Sequence, residues 1–403
     1  MSLLSEGINS GNVRPTQRME KHSIDGISSD YTVYQIKHDL LFFNDQNDRI
    51  ATWVSEYEAS HDGGLGGLGR GQLDAVIEDF IVKSNTVALR KTQQDIALRG
   101  QLRPGVVLND GRVIDGNRRL ASIRRNEREG KGTGWFEAVI LDDATGSDPK
   151  RIKLLELAIQ MGEEERVAYD PVDKLVGVYR DVVKNCLITP AEYGRATGMS
   201  ESEVQKLIDK AKYMEEFLEF CGAPEQYHLA RALKVDGPLG EFRRILNKYE
   251  SKRDRRLAKE QMFANIIIQP QGDITRFVRT FGDVVGTDAE SAFRGAEHTA
   301  LERRKGKMGT EPLTKEKVAK LRADEALVDE FVRAGSRARE AVRQERLLDT
   351  PVKKSAEALH CLEQIMPEML DRLDVSDLAD VRRNLKKLSL KAGEALADVE
   401  ARM

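Results

Sequence analysis

The chain has 403 residues, too many for one ordinary domain, so two to four are expected. Its 64 Lys and Arg stand against 67 Asp and Glu, a net charge of -3, which excludes a wholly basic nucleic-acid binder and confines any such surface to a local patch. Charged residues make up 33% and aromatics 6%, a balance that suits long solvated helices better than a β-rich protein. Residues 1 to about 30 are polar and aperiodic and are expected to form a flexible arm. From Tyr31, "YTVYQI" and "DLLFF" read as strands, and the stretch from Gly71 to Gly100 reads as helices. "GVVL", the turn "NDG" and "RVI" make a tight hairpin, because Asn-Asp-Gly readily takes positive φ. A basic helix follows, then a strand at Trp135 to Leu141, which gives a compact α+β domain over 31–150.

Beyond the loop "DDATGSDPK" the chain turns helical, with a middle block over 151–246 and a charged remainder over 247–403 that contains one β-branched run, "NIIIQPQGD". "TPAEYGRATGMSESEVQKLIDKA" carries two capping boxes, Thr189 with Glu192 and Ser200 with Glu203. Pro190 suits a first helical position, and Gly198 suits a left-handed helix end. Val204, Leu207, Ile208 and Ala211 give the second helix a buried face. Two such helices make a helix-turn-helix over 189–213, with Ser202, Gln205, Lys206 and Lys210 on the outer face as candidate contacts to double-stranded DNA. That outer face also carries Glu201 and Asp209 and is charge-neutral, and a plain helix pair is the structural alternative. The chain ends in apolar residues spaced 3-4-3-4 on either side of "DVSD", with Ser376 or Asp377 available as a cap. They read as a helical hairpin over 355–401 that either packs on itself or joins two copies as a homodimer.

Several suggestive strings carry little. "GGLGGLGRG" matches G-x-G-x-x-G but follows "EYEASHD", not an apolar strand, and "GKGTG" lacks the spacing of a phosphate loop. Cys186, Cys221 and Cys361 are scattered, and the six histidines form no ligand pattern, so neither a disulfide framework nor a zinc site is expected. No apolar run approaches membrane-spanning length, and "MSLLSEGINSGN" lacks the pattern of a signal peptide; a cytoplasmic protein without a membrane partner is expected.

The most informative string is "VIDGNRRLASIRR", a strand end, a turn and a basic helix start. Free N–H groups and the helix dipole make such a junction a ready anion site. Arg118 and Arg119 are adjacent on the helix and point differently, so one of them is expected to grip a phosphate directly. Asp115 beside a phosphate would be repelled unless it caps the helix, binds a metal or accepts a ribose hydroxyl, and the cap is the favoured role.

Together these stretches resemble the ParB/sulfiredoxin-like superfamily, specifically ParB-type proteins with a helix-turn-helix after the nucleotide-binding domain. "LRKTQQDIALRGQLRPGVVLNDGRVIDGNRRLASIRR" is similar to the family's run of helix, loop, hairpin and arginine motif, and "RVAYDPVDKLVGVYRDV" resembles the segment that follows it. "NDQNDRI", with Arg49, is a shorter echo of the first family motif. The resemblance covers about residues 31 to 220. It implies an α+β ParB/sulfiredoxin-like domain followed by all-α regions. It also implies a site for a nucleoside triphosphate, CTP or ATP with Mg²⁺, formed by Asp115, Gly116, Asn117, Arg118, Arg119, Arg166 and Arg49. Glu163 in "GEEER" stands where the family's motif supplies a metal-binding Glu-Asn pair. The motif here reads D-G-N-R-R where partition proteins typically have a G-E-R-R form; the D-G-x-x-R form also resembles DNA-modification and phage-defence relatives.

The expectation is therefore a nucleoid-associated DNA-binding protein whose first domain binds, with or without hydrolysis, a nucleoside triphosphate as a switch, in partitioning, regulation or a mobile-element or defence context. A ParB-like enzyme, a nuclease or nucleotide-hydrolysing component, is the alternative. A non-catalytic adaptor working through its helical tail is the third reading.

Overall fold

The computed structural model describes residues 4–8, 10–24, 27–141, 148–161, 170–270, 272–308 and 312–403. Packing divides the chain into two units, Met1–Ser336 and Arg337–Met403.

The first unit opens with a short helix, α1 (Leu4–Gly7), and a six-stranded mixed sheet in the order β1-β2-β6-β4-β5-β3. Its strands are β1 (Val13–Ile24), β2 (Ile27–Lys37), β3 (Phe42–Phe43), β4 (Gly105–Leu108), β5 (Arg112–Asp115) and β6 (Trp135–Leu141). β1 replaces the arm expected over residues 1–30. It pairs antiparallel with β2 from Val13↔Ile36 to Ile24↔Ile27. Most of its described side chains are exposed, so backbone pairing and the buried anchors Leu4 and Val13 hold it without an apolar rhythm. β4 and β5 form the predicted hairpin. Gly111 turns it at φ +92°, and a Cβ there would lie 2.3 Å from the Leu40 carbonyl oxygen. "DLLFF" yields only two strand residues, because side chains claim its backbone: Arg124 donates to Leu41 O and Asp74 accepts from Phe43 N, both at 2.8 Å.

Helices cover both faces of the sheet. On one face Ile36, Val107, Val113 and Phe136 pack against α2 (Ala51–Ser60), α3 (Arg70–Ser84), α4 (Thr86–Arg99) and α5 (Asn117–Arg128), which contribute Ile77, Phe80, Leu89, Leu120 and Ile123. On the other face Val33, Val106, Ile114, Val139 and Leu141 meet Ile152 and Leu155 of α6 (Pro149–Met161). Each such side chain contributes roughly 1.5–3 kcal/mol by leaving water.

The helical part continues with α7 (Pro171–Val178), which runs on as a π-helical turn over Tyr179–Lys184, then α8 (Pro190–Thr197) and α9 (Glu201–Phe220). After these come α10 (Tyr227–Ala232), α11 (Asp236–Leu246), α12 (Lys252–Ile268), α13 (Ile274–Val284), α14 (Ala289–Met308) and α15 (Lys315–Arg322). Phe217 of α9, Phe242 of α11 and Phe263 of α12 share one core, with ring centroids 5.5 Å (Phe217–Phe263) and 5.4 Å (Phe242–Phe263) apart. Packing therefore runs straight across the boundary expected at 246. "NIII" is the buried last turn of α12, closed by Gln269 at φ +51°, and not a strand.

The division between units falls within α16 (Glu325–Glu363), which is followed by α17 (Pro367–Leu370) and α18 (Val375–Glu400). α18 is capped by Asp374, which accepts from Asp377 N at 2.8 Å, and not by Ser376 or Asp377. The second heptad stripe lies on α18 as the spacing predicts, but the first is broken, because α16 ends at Glu363 and leaves Met366 and Leu373 between helices. Most of these residues stay in solvent within this unit: Leu359 is 58% exposed, Met366 50% and Val399 54%.

Candidate functional site

The strand-to-helix junction at β5–α5 is built as the sequence predicts. Val113, Ile114, Leu120 and Ile123 are buried and anchor both arms of the junction. Gly116 makes the turn at φ +100°. A Cβ there would meet Phe136 Cζ at 2.9 Å and Arg119 Nε at 3.2 Å, so only glycine fits. Gly116 is also the N-cap of α5, which corrects the role expected of Asp115. The Asp115 carboxylate instead accepts from Arg119 Nη2 at 2.5 Å, one helical turn away. Arg119 additionally donates to Arg103 O at 3.1 Å. It is a structural brace.

Arg118 has a different environment. Its side chain is half-buried, and its Nε is buried without a hydrogen-bond partner. Burial, together with the charges of Arg49 and Arg119, pushes its pKa down to about 10. A guanidinium so crowded by like charge favours an anion beside it. Arg49 is brought close by a buried hydrogen bond of 3.4 Å from Asn44 N to Asn117 Oδ1. Asn47, which accepts from Arg49 N at 3.0 Å, then caps the turn over Asp48–Ile50. Two separate sequence strings, "NDQNDRI" and "DGNRR", thus meet at one place. Arg125, two turns beyond Arg118 on the same helix, has a second buried Nε without a partner, which the sequence reading passed over. Arg124 is structural: it pairs with Asp74 at 2.6 Å and lies over the Phe43 ring. Arg166 and Glu163 lie outside the described residues. Among the described residues no group of three or more His, Cys, Asp or Glu is placed to hold a metal.

A buried ionic cluster, not foreseen from sequence, stands directly behind Arg49. Lys153 of α6 lies 2.6 Å from Asp48 and 2.9 Å from Asp181, and Arg180 reaches Asp48 at 2.6 Å and Asp181 at 3.0 Å. Burial alone would lower the Lys153 pKa, but Asp48, Glu156 and Asp181 outweigh it and raise it. Gly177 of α7 leaves room for the cluster, since a Cβ there would sit 2.5 Å from Asp48 Oδ2.

The two capped helices also form as expected. Thr189 N and Ser200 N each donate to their box glutamates, Glu192 and Glu203, at 2.9 Å, and Gly198 is left-handed at φ +71°. Lys150 of α6 hydrogen-bonds Glu192 and, with Thr189, holds its carboxyl at about 2. Ser202, Gln205 and Lys206 are exposed on α9. Lys210 is not presented in the same way, because it is tied to Asp236 of α11 at 2.5 Å. In the basic run "FRRILNKYESKRDRR" (242–256), Arg243 pairs with Asp209 at 3.3 Å and Arg255 donates to Tyr249 O at 2.7 Å, while Arg244, Lys252, Arg253 and Arg256 are exposed. Of a second basic string, "ERRKGK" (302–307), the side chains from 303 on lie outside the described residues.

Sheet, junction and capped helices define a class: an α+β protein with an arginine-lined helix N-terminus, continued by a helical region. Compared with protein-family models and with curated proteins, the chain gives no match. No helix among the described residues is long and apolar enough to cross a membrane.

Proposed function

We propose that this chain is a ParB-type DNA-binding protein in which a nucleoside triphosphate, held by its phosphates at the β5–α5 junction, switches DNA engagement. The observation that carries the reading is Arg118, half-buried with a partnerless Nε and set beside Arg49 at a helix N-terminus. A phosphate there relieves the repulsion among the arginines and meets the free N–H groups of α5. Arg118 is the gripping residue, while Asp115 and Arg119 hold the junction's shape.

A route from phosphate to DNA is supported by contacts. Asn117 links the phosphate motif to Asn44, Asp48 links that segment to Lys153, and Lys150 on the same helix binds Glu192 at the start of α8. Nucleotide occupancy acts on the first link, and Ser202, Gln205 and Lys206 on α9 meet the duplex at the last. Mg²⁺ coordination rests on Glu163. The charge that neutralises the phosphates in this reading is that of the arginines.

The test is calorimetric titration with each of the four ribonucleoside triphosphates plus Mg²⁺, with and without duplex DNA. One nucleotide should bind, and its affinity should change when DNA is present. If no nucleotide binds at millimolar concentration, the junction is only a well-built helix start and the proposal falls.

A further inference from the structure

Between α12 and α14, apart from the arginine junction, lies a cleft of about 670 Å³, a size typical of small-molecule sites. Its floor holds Glu297, 1% exposed, with no basic side chain against it among the described residues. One carboxyl oxygen accepts from Gln261 Nε2 at 2.7 Å and from Asn265 Nδ2 at 2.8 Å. The other oxygen, Glu297 Oε1, has no partner, and neither have Gln261 Oε1 and Asn265 Oδ1. Even when protonated, the carboxyl can donate to only one of the two amide oxygens, so a buried acceptor is left without a donor, which is costly, and a donor-rich group is what the site lacks. Burial, opposed by the two amide hydrogen bonds, pushes the Glu297 pKa up to about 8. The carboxyl is therefore poised to ionise once a cation stands against it.

The rim has the same sign. Asp254, Glu260, Glu290 and Glu302 stand there and outnumber the cations near them: Arg294 is paired with Glu290 and lies 3.7 Å from Asp254, Arg256 lies 3.7 Å from Glu260, and His298 lies 4.0 Å from Glu302. Leu257, Ala264 and Phe220 supply apolar wall. We infer that this cleft binds a small organic cation, an alkylammonium or alkylguanidinium, whose N–H groups reach Glu297 Oε1 and Gln261 Oε1 while its alkyl part lies on Leu257 and Phe220. An anion is repelled by the rim, and an uncharged alcohol of the same length leaves the carboxyl without its counter-charge.

The experiment is calorimetric titration of the full chain with agmatine, putrescine and butylamine, with butanol as the uncharged control. At least one of the three cations should bind at sub-millimolar concentration, and butanol should not. Glu297→Gln should weaken cation binding at least tenfold without unfolding the protein, since the new amide can donate to the two orphaned acceptors. Gly295→Trp, which lines the cleft at a position whose Cβ meets open space, should block binding while leaving the Glu297 network untouched. Equal binding of butanol, undiminished binding to Glu297→Gln, or no cation binding at millimolar concentration would overturn the inference. Phosphate binding at Arg118 should be the same in both variants, so this site and the nucleotide site fail or stand separately.

Discussion

Replacing Arg118 with methionine separates a phosphate-gripping arginine from a structural one, because the two roles predict opposite signs. An arginine held at about 10 instead of 12.5 carries a charge that the fold disfavours by on the order of 3 kcal/mol at neutral pH. Solvent access to the half-buried side chain trims this to about 1–2 kcal/mol. The pKa is lowered, so the penalty is present in full below the folded value and fades only as pH rises through it, well above any assay condition. Methionine keeps the aliphatic stem and discards the guanidinium. The ligand-free variant should melt about 1–3 °C above wild type, at about 1.4 °C per kcal/mol for a unit of this size. Scanning calorimetry with and without pyrophosphate then reads the second half. Wild type should gain stability from the ligand, by roughly 2.7 kcal/mol at a hundred times the Kd, whereas Arg118→Met should gain almost none. A variant that melts well below wild type without ligand, or that responds equally to pyrophosphate, would refute the reasoning.

Gln205→Ala with Lys206→Ala should weaken duplex binding and lower its salt slope by about one, because Lys206 stands for one phosphate contact; Lys210→Ala, already paired with Asp236, should do less. Fluorescence anisotropy across a salt series measures both, and unchanged affinity at low salt makes the element a plain helix pair. Truncation after Thr350 removes the exposed heptad stripes and should leave a folded species of fewer subunits by light scattering; an unchanged subunit number removes the dimer reading. Lys153→Met leaves Arg180 to face Asp48 and Asp181 with Glu156 beside them in the interior and should lose on the order of 3 kcal/mol in urea melts, and a loss under about 1 kcal/mol would show the cluster to be unimportant. Glu297 has a folded pKa raised to about 8, so its contribution to stability should fall as pH climbs from the ordinary carboxyl range through that value. Thermal melts near both ends should show that slope in wild type and a flatter one in Glu297→Gln, and matching slopes would contradict the burial of an uncompensated carboxyl.

What the sequence made legible was local. The hairpin at "NDG", the glycine turn before α5 and both capping boxes depend on residues within four positions of each other, and each formed as read. Strand β1 was hidden because much of it is exposed and its stability lies in backbone pairing, which leaves no rhythm of side chains. "NIII" misled because a helix end buried on all sides tolerates β-branched residues that usually mark a strand. Asp115 stands one position before the N-cap of α5. The fold spent that carboxylate on Arg119 instead, a choice between two short-range partners that spacing alone does not settle. Lys153 with Asp48, and Glu297 with Gln261, are separated by 105 and 36 positions, and no periodicity connects such partners.

The position of Asp48 has a consequence for anyone dissecting this protein. It immediately precedes Arg49, and its carboxylate is neutralised by Lys153 and Arg180, which come from later helices. A fragment that stops at residue 150 would lose both cations and leave that carboxylate unclaimed next to the arginines. It would then act as a tethered competitor, at an effective concentration no free nucleotide could match. Such a fragment would give a silent titration even if the intact chain binds tightly. The first 150 residues carry the arginines of the junction, but the downstream helices hold the Asp48 carboxylate away from them.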